Sequence, residues 1–503
     1  MSLTFVFRVD TSSRIGSGHL MRCLVLAECL RELNIECCFV CRDFPGNHAG
    51  RVRESGFRLE FLPYDPAFSL ESWLGADQLT DAEQSLVHIA EIRPDWIVVD
   101  HYGIGAEWEG IVSAASASSN ILVIDDLADR QHLCDILVDI TPDRSQEDYS
   151  GLLEEKTEQC FGLDYALLRP DFIKQRYETG SAGGTLRSPA EILVTFGGGN
   201  NQHVLDLTLQ AIEKLDPETN FYVTVIGNKE GITIPENLAD RLTCIDFEHD
   251  MASRIAHSDI MVGAAGGTSW ERCCLGVPGV VLMVAENQRS NFEAISRRNA
   301  SLCVEADADA ISSALNQLLT DEGLYSTISS NAWNMCDGRG AFRVKNAILS
   351  RSMEIVPATM DDARLIYDAR YSDGAERYYR NPAKPDYSDH VRWMENALQS
   401  RTHNLLVLKL ANEFIAHVRF DIVPGNSERA EVGIALAPES RGKGLALPAL
   451  QAGAAHAKSK SFKTIDAEVH PENAASIKLF EAAGFKAVGS DEENGFRQFR
   501  LDF

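Results

Sequence analysis

Three times before residue 276 an apolar run ends on a glycine turn that opens into a helical pattern. Phe5-Val6-Phe7-Arg8-Val9-Asp10 leads to Arg14-Ile15-Gly16-Ser17-Gly18-His19 and a helix from His19 to Leu33. Ile192-Leu193-Val194-Thr195-Phe196 leads to Gly197-Gly198-Gly199-Asn200 and a helix from Val204 to Leu215. Asp259-Ile260-Met261-Val262-Gly263 leads to Ala264-Ala265-Gly266-Gly267-Thr268-Ser269 and a helix from Trp270 to Leu275. Strand, turn and helix in alternation imply parallel sheets covered on both faces. Ligands of such sheets sit beyond the carboxyl ends of the strands. Glycine lets the backbone approach a ligand there, and a helix start turns free N–H groups toward negative charge.

A chain of 503 residues is too long for one core and predicts about three domains. We place them at 1–180, 181–350 and 353–503, with Ser181-Ala182-Gly183-Gly184-Thr185 as a linker. No cysteine follows Cys336, which agrees with a boundary near Arg351. The net charge of −27 disfavours nucleic acid and anionic membranes as partners, since both call for basic surface. No apolar run is long enough to span a bilayer and no signal peptide is evident, so a cytoplasmic location is expected. The 12 cysteines are then free thiols. Cys38-Phe39-Val40-Cys41 has redox or zinc spacing but lies in a strand-like run without a second pair. No metal site is expected; Asp125-Asp126 is the nearest candidate.

The residues just past the first-domain strands are Asp10 to His19, Asp100-His101-Tyr102-Gly103 and Asp125-Asp126. His19 is the side chain on the first helical turn able to take a proton near neutral pH. His101 and His203 are taken as structural.

Arg14-Ile15-Gly16-Ser17-Gly18-His19-Leu20-Met21-Arg22-Cys23-Leu24 resembles the opening of the UDP-sugar hydrolases of pseudaminic acid synthesis. Further blocks follow in the family's order: Asp100 to Ile104, Asp125 to Arg130, Gly162 to Arg169, Phe196-Gly197-Gly198, and Gly266 to Gln288. The resemblance covers roughly the first 350 residues. It implies a GT-B-like pair of Rossmann-type domains that cleaves UDP from a 2,4-diacetamido-trideoxy sugar. It further implies His19 as general base for a water that attacks the anomeric carbon, with Tyr102 and Asn287 near the sugar and that water. Gly16 and Gly18 would floor the site. Gly198, Gly267, Thr268, Ser269 and Gln288 would hold UDP, Glu271 its ribose, and Arg169 is a substrate-side arginine of unassigned role. A glycosyltransferase shares the fold and stays open as the alternative.

The last segment differs. Leu405–Leu410 and Glu413–Asp421 suggest an antiparallel pair, and a strand from Ala430 to Leu436 runs into Arg441-Gly442-Lys443-Gly444-Leu445-Ala446. That loop matches the R-x-x-G-x-A pattern of the GNAT acyltransferases, supported by Asn473 and Ala483-Gly484-Phe485. The resemblance implies an α+β domain binding acetyl-CoA through Leu436, Arg441, Gly442, Gly444, Ala446 and Asn473. Glu431 is either the base for the acceptor amine or an outward strand carboxylate. Phe480 stands where many members keep a tyrosine that protonates the thiolate, so a domain that only binds acetyl-CoA is also open. Together these features predict a bifunctional enzyme that acetylates an amino sugar, the 4-amine of the UDP-sugar precursor, and hydrolyses the product.

Overall fold

The structure, a computed structural model, describes residues 3–68, 73–180, 184–197, 201–227, 232, 234–491 and 495–503. The chain divides into two compact units, Thr4–Val344 and Lys345–Phe503 with Leu3.

The first unit holds two parallel sheets. One contains β1 (Thr4–Val9), β2 (Glu36–Arg42), β3 (Arg58–Leu62), β4 (Trp96–Asp100), β5 (Asn120–Ile124), β6 (Ile136–Asp139) and β7 (Glu158–Phe161), in the order 3-2-1-4-5-6-7. The other contains β8 (Ala190–Thr195), β9 (Phe221–Ile226), β10 (Leu242–Ile245), β11 (Ile260–Ala264), β12 (Gly279–Leu282) and β13 (Leu302–Val304), in the order 10-9-8-11-12-13. Both orders reverse direction beside the first strand, which opens a crevice between β1 and β4 and between β8 and β11. The expected alternation is present, with additional short strands at β3, β7, β9, β10 and β13.

One helix joins the second lobe rather than the first. Pro170–Thr179 lies before the glycine-rich stretch, yet its Phe172 packs with Leu193, Met261, Trp270 and Cys274 of the second-lobe core. The segment just before it lies against a later helix, Gly340–Ser352. A Cβ at Gly340 would stand 2.3 Å from the Ala166 carbonyl oxygen, so only glycine fits. Asp143 of the first lobe pairs with Arg297 of the second at 2.8 Å and also with Arg298.

Under the first sheet lies a buried ionic cluster. The Arg8 guanidinium donates to both oxygens of Asp10, at 2.6 and 2.8 Å, and to both of Asp81, at 3.0 and 2.6 Å. Arg42 and the Trp108 indole N–H also donate to Asp81, at 2.6 and 2.9 Å. Cys37, Cys38 and Cys41 are buried beside this cluster in β2, and all twelve thiols are free. Cys38 and Cys41 therefore belong to the core.

The second unit is one mixed sheet of β14 (Glu354–Pro357), β15 (His403–Leu410), β16 (Glu413–Val423), β17 (Asn426–Leu436), β18 (Thr464–Val469), β19 (Lys486–Ser490) and β20 (Arg497–Asp502), in the order 14-15-16-17-18-20-19. β17 pairs with β16 as far as Leu436 but with β18 only from Arg429 to Glu431. Beyond Glu431 the two parallel strands part, and one edge of β17 faces a gap.

Removing Asp81 takes the shared carboxylate from two buried guanidinium groups and leaves Asp10 as the counter-ion of Arg8. Asp81→Ala is expected to cost about 3–5 kcal/mol, read from the first transition of a urea titration. Arg58→Ala, which breaks an exposed pair with Glu60 and Glu91, should cost about 1 kcal/mol or less. Equal losses would show that the cluster carries no special weight.

Candidate active site

The site grows from the carboxyl end of β4. Asp100 is the last residue of that strand and is buried. His19, Arg22 and Cys23 lie one turn apart on the first helix, Gly18–Arg31, and so share one face. All three turn to Asp100. His19 Nδ1 lies 2.5 Å from Oδ1, Arg22 Nε and Nη2 donate at 2.6 and 2.7 Å, and Cys23 Sγ stands at 3.5 Å. Burial alone would raise the Asp100 carboxyl, but Arg22 and His19 outweigh it and hold the group well below the usual carboxylate range. An ionised carboxylate at that distance accepts a hydrogen bond from Nδ1–H, so the lone pair of a neutral His19 sits on Nε2. Nε2 has no hydrogen-bond partner among the described residues.

Arg22 continues to Asp126 at 3.1 Å. The Tyr102 ring meets His19 edge-on, 4.6 Å between centroids, and burial beside the Asp126 carboxylate keeps its phenol protonated. Gly16 adopts φ +76°, and a Cβ at Gly16 or Gly18 would meet nothing within 4 Å, so both border open space. His19, Tyr102 and the glycine loop are thus brought together. Asp100 and Arg22 were named in the sequence without a role; a buried Asp at a strand end, with His and Arg three residues apart on the next helix face, is the signal that identifies them. Asp126 pairs with Arg22, and among the described residues no group of three or more His, Cys, Asp or Glu side chains could hold a metal ion. His101 is structural: its Nδ1 accepts the Gly103 N–H at 2.9 Å and its Nε2 lies 3.2 Å from Asp10. His203 is exposed on the helix Gln202–Glu213.

In the second lobe the turn after β11 leads into a short helix, Thr268–Cys274. The Ser269 and Trp270 N–H groups close back on the Gly266 and Gly267 carbonyls. Ser269 Oγ donates to Ala264 O at 2.9 Å, so this side chain shapes the turn. Gln288 accepts the Val284 N–H at 3.2 Å, and its amide nitrogen stands 3.7 Å from where a Gly266 Cβ would be. Asn287 is exposed on the rim, with no hydrogen bond to the first-lobe residues among those described. Gly198 lies outside the described residues. Glu271 is half-buried with no hydrogen bond or ion pair among the described residues. Burial pushes its carboxyl up to about 7, against the pull of Arg169. Arg169 also acts on Glu28 of the first helix, so its charge is felt on both lobes.

In the second unit, Gly442 and Gly444 adopt φ +72° and +73° in the loop before the helix Ala446–Ser459. A Cβ at either would meet open space. The Arg441 side chain is spent on anchoring this loop, to Asp373 at 2.9 Å and Ala369 O at 2.8 Å. Asn473 caps the helix Ala474–Ala482 by accepting the Ser476 N–H at 3.1 Å, leaving its amide N–H groups. Leu436 ends the open edge of β17. An unpaired strand edge running into a glycine loop and a helix start fits an extended amide chain ending in a pyrophosphate, the shape of acetyl-CoA. Glu431 is exposed on β17 where β17 and β18 part, and partial desolvation together with the Glu468 and Asp421 carboxylates pushes its carboxyl up from the ordinary value. Phe480 is buried, edge-on to Phe485 at 5.0 Å.

Glu271 makes a pH prediction. The folded chain keeps a proton there that the unfolded chain releases near 4.5. Stability should therefore fall as pH rises from about 4.5 to about 7 and stay level above. Glu271→Gln should match the wild type at pH 5 and exceed it at pH 8 by on the order of 2 kcal/mol, partial exposure included. Thermal unfolding at both pH values is the check; equal curves at pH 8 would refute it.

Residues 192–331 match the glycosyltransferase family 28 C-terminal domain, and residues 353–486 match the acetyltransferase (GNAT) domain. A stretch of 174 residues is 30% identical to the UDP-2,4-diacetamido-2,4,6-trideoxy-beta-L-altropyranose hydrolase of Campylobacter jejuni, covering 34% of this chain and 54% of that protein. The chain thus spans about half the length of that relative. An uncharacterized protein of Methanocaldococcus jannaschii is 22% identical over 506 residues, covering 96% of this chain and 97% of its own. The crystal structure of Acinetobacter baumannii MurG superposes with a TM-score of 0.49 at 14% identity, over 69% of this chain and 99% of that one. The chain thus holds a second-lobe domain that matches the glycosyltransferase family 28 C-terminal domain, a stretch homologous to part of a UDP-sugar hydrolase, and a domain that matches the GNAT acetyltransferases.

Proposed function

We propose that residues 4–344 hydrolyse a UDP-linked 2,4-diacetamido-trideoxy sugar of the altropyranose type, and that residues 345–503 N-acetylate the amine of its precursor from acetyl-CoA. The observation that carries the first half is the pinned imidazole: Asp100 holds Nδ1 at 2.5 Å while Nε2, at the switch point of the sheet, has no partner among the described residues. A water beside Nε2 attacks the anomeric carbon, its proton passes to Nε2, and the bond from that carbon to the phosphate oxygen breaks. UDP leaves with the electron pair and the free sugar results. UDP is already a good leaving group, so positioned water, base and fixed dipoles suffice. The Gly267 and Thr268 N–H groups and the Arg169 guanidinium are the donors for the departing phosphate. Glu271, as a carboxylate, accepts the ribose hydroxyls.

Acetyl-CoA supplies a thioester carbon as the acyl donor. The open edge of β17 orients it and the Gly442–Gly444 loop holds its pyrophosphate. Glu431 takes the proton from the acceptor nitrogen as the amide bond forms and the carbon–sulfur bond breaks. Phe480 cannot return a proton to the thiolate, so solvent does. A tether between consecutive activities raises the product's effective concentration at the next site.

The match of residues 192–331 to a glycosyltransferase domain favours one rival, transfer of the sugar to an acceptor other than water. Mass spectrometry of the full chain with a UDP-4-amino-trideoxy sugar and acetyl-CoA separates the two. Free acetylated sugar plus UDP is expected; UDP release only on adding a sugar or lipid acceptor would overturn hydrolysis. His19→Asn should lower UDP release by at least about a hundredfold with UDP binding retained. Asp100→Asn, which alters the imidazole tautomer, should lower it by at least about tenfold. Glu431→Gln should slow acetyl transfer by about tenfold or more while acetyl-CoA still binds; unchanged thiol release would make Glu431 a bystander.

A further inference from the structure

Beside His19 the first lobe carries an aromatic wall that no motif announces. Tyr102 stands edge-on to His19, and Trp73 stands edge-on to Tyr102, with centroids 5.2 Å apart. The Arg14 guanidinium lies 4.9 Å over the indole. Trp73 remains partly exposed, yet its segment is fixed. Leu74 is buried against the Asp100–Gly103 turn, where a Gly103 Cβ would come within 3.1 Å of it. Gly75 turns at φ +65° so tightly on Phe44 that a Cβ would stand 2.8 Å from the ring. Trp73 is thus held one ring beyond the ring that touches the base, on the same side of the crevice.

We propose, resting on the hydrolase function above, that Trp73 and Arg14 form the surface that reads the substituted nitrogen of the sugar, admitting an N-acyl group and refusing a free amine. The methyl of an acetamide gains by leaving water against an indole. An ammonium at the same place is drawn to the ring face, but Arg14 already occupies that quadrupole and repels a second cation. The hydrolytic site then acts after amide formation and spares the amine precursor. The order of two reactions carried on one chain follows from this wall.

The test uses the full chain without acetyl-CoA, so that neither sugar changes its acylation. UDP release is measured from the UDP-linked 4-amino sugar and from its 4-acetamido form. The wild type should favour the acetamide by roughly tenfold to a hundredfold in kcat/KM. Arg14→Gln should narrow this ratio by raising turnover of the free amine, and Arg14→Lys should keep it. Trp73→Leu should narrow it by lowering turnover of the acetamide. Thermal unfolding shows that each variant is folded. A wild type without preference, or ratios unchanged in Arg14→Gln and Trp73→Leu, overturns the assignment. Absence of UDP release from both sugars in the wild type instead overturns the hydrolase function.

Discussion

One buried carboxylate organises the first lobe's site. Asp100 ends β4, inside the protein, and a bare charge there would be costly. Arg22 neutralises it with two hydrogen bonds, and His19 adds a third. Because both partners come from the same face of the first helix, their need for Asp100 fixes that helix over the crevice between β1 and β4. The imidazole orientation follows from charge compensation: Nδ1 is spent and Nε2 is left over. Arg22 extends the arrangement to Asp126, and Tyr102, two residues past Asp100, closes the ring side of the imidazole. The same geometry that removes the electrostatic penalty therefore leaves Nε2 without a hydrogen-bond partner among the described residues.

The second lobe shows the opposite arrangement. Glu271 is desolvated and left without a hydrogen bond among the described residues, and its carboxyl is pushed up to about 7. A group held in this state costs the protein stability. Arg169, whose charge reaches both Glu28 and Glu271, sits where the chain crosses between lobes. In the acetyltransferase domain the comparable incompleteness lies in the backbone. β17 loses its β18 partner after Glu431, and its N–H and C=O groups along that edge face the gap. In all three places a group is left unsatisfied among the described residues: a ring nitrogen, a carboxylate and a strand edge.

Much of this was legible in the residues. The strand–glycine–helix alternation gave the two parallel sheets, because period and turn chemistry are local properties. The glycine turns before the helices that begin at Gly18 and Ala446 were legible for the same reason. The helix Pro170–Thr179 shows where locality ends. Its position before the glycine-rich stretch assigns it to the first domain, but its Phe172 belongs to the second-lobe core. Asn473 and Arg441 show a second limit. Both lie in the acetyl-CoA motif, yet Asn473 caps a helix and the Arg441 side chain ties its loop to Asp373 and Ala369. A motif cannot distinguish contact with a ligand from support of the loop that makes the contact.

The sequence by itself determined the elements, their order and the candidate chemistry, since hydrophobic period, glycine turns and residue type are written locally. It could not determine convergence. Asp100 is 81 residues from His19, and Trp73 lies in a segment with no motif at all. Only the parallel sheet, by setting β4 beside β1 and the Trp73 segment against the Asp100–Gly103 turn, decided that a carboxylate, an imidazole and an aromatic wall share one crevice. The physical reason is that ion pairing and ring contact act over a few ångströms of space, a separation that sequence distance does not encode.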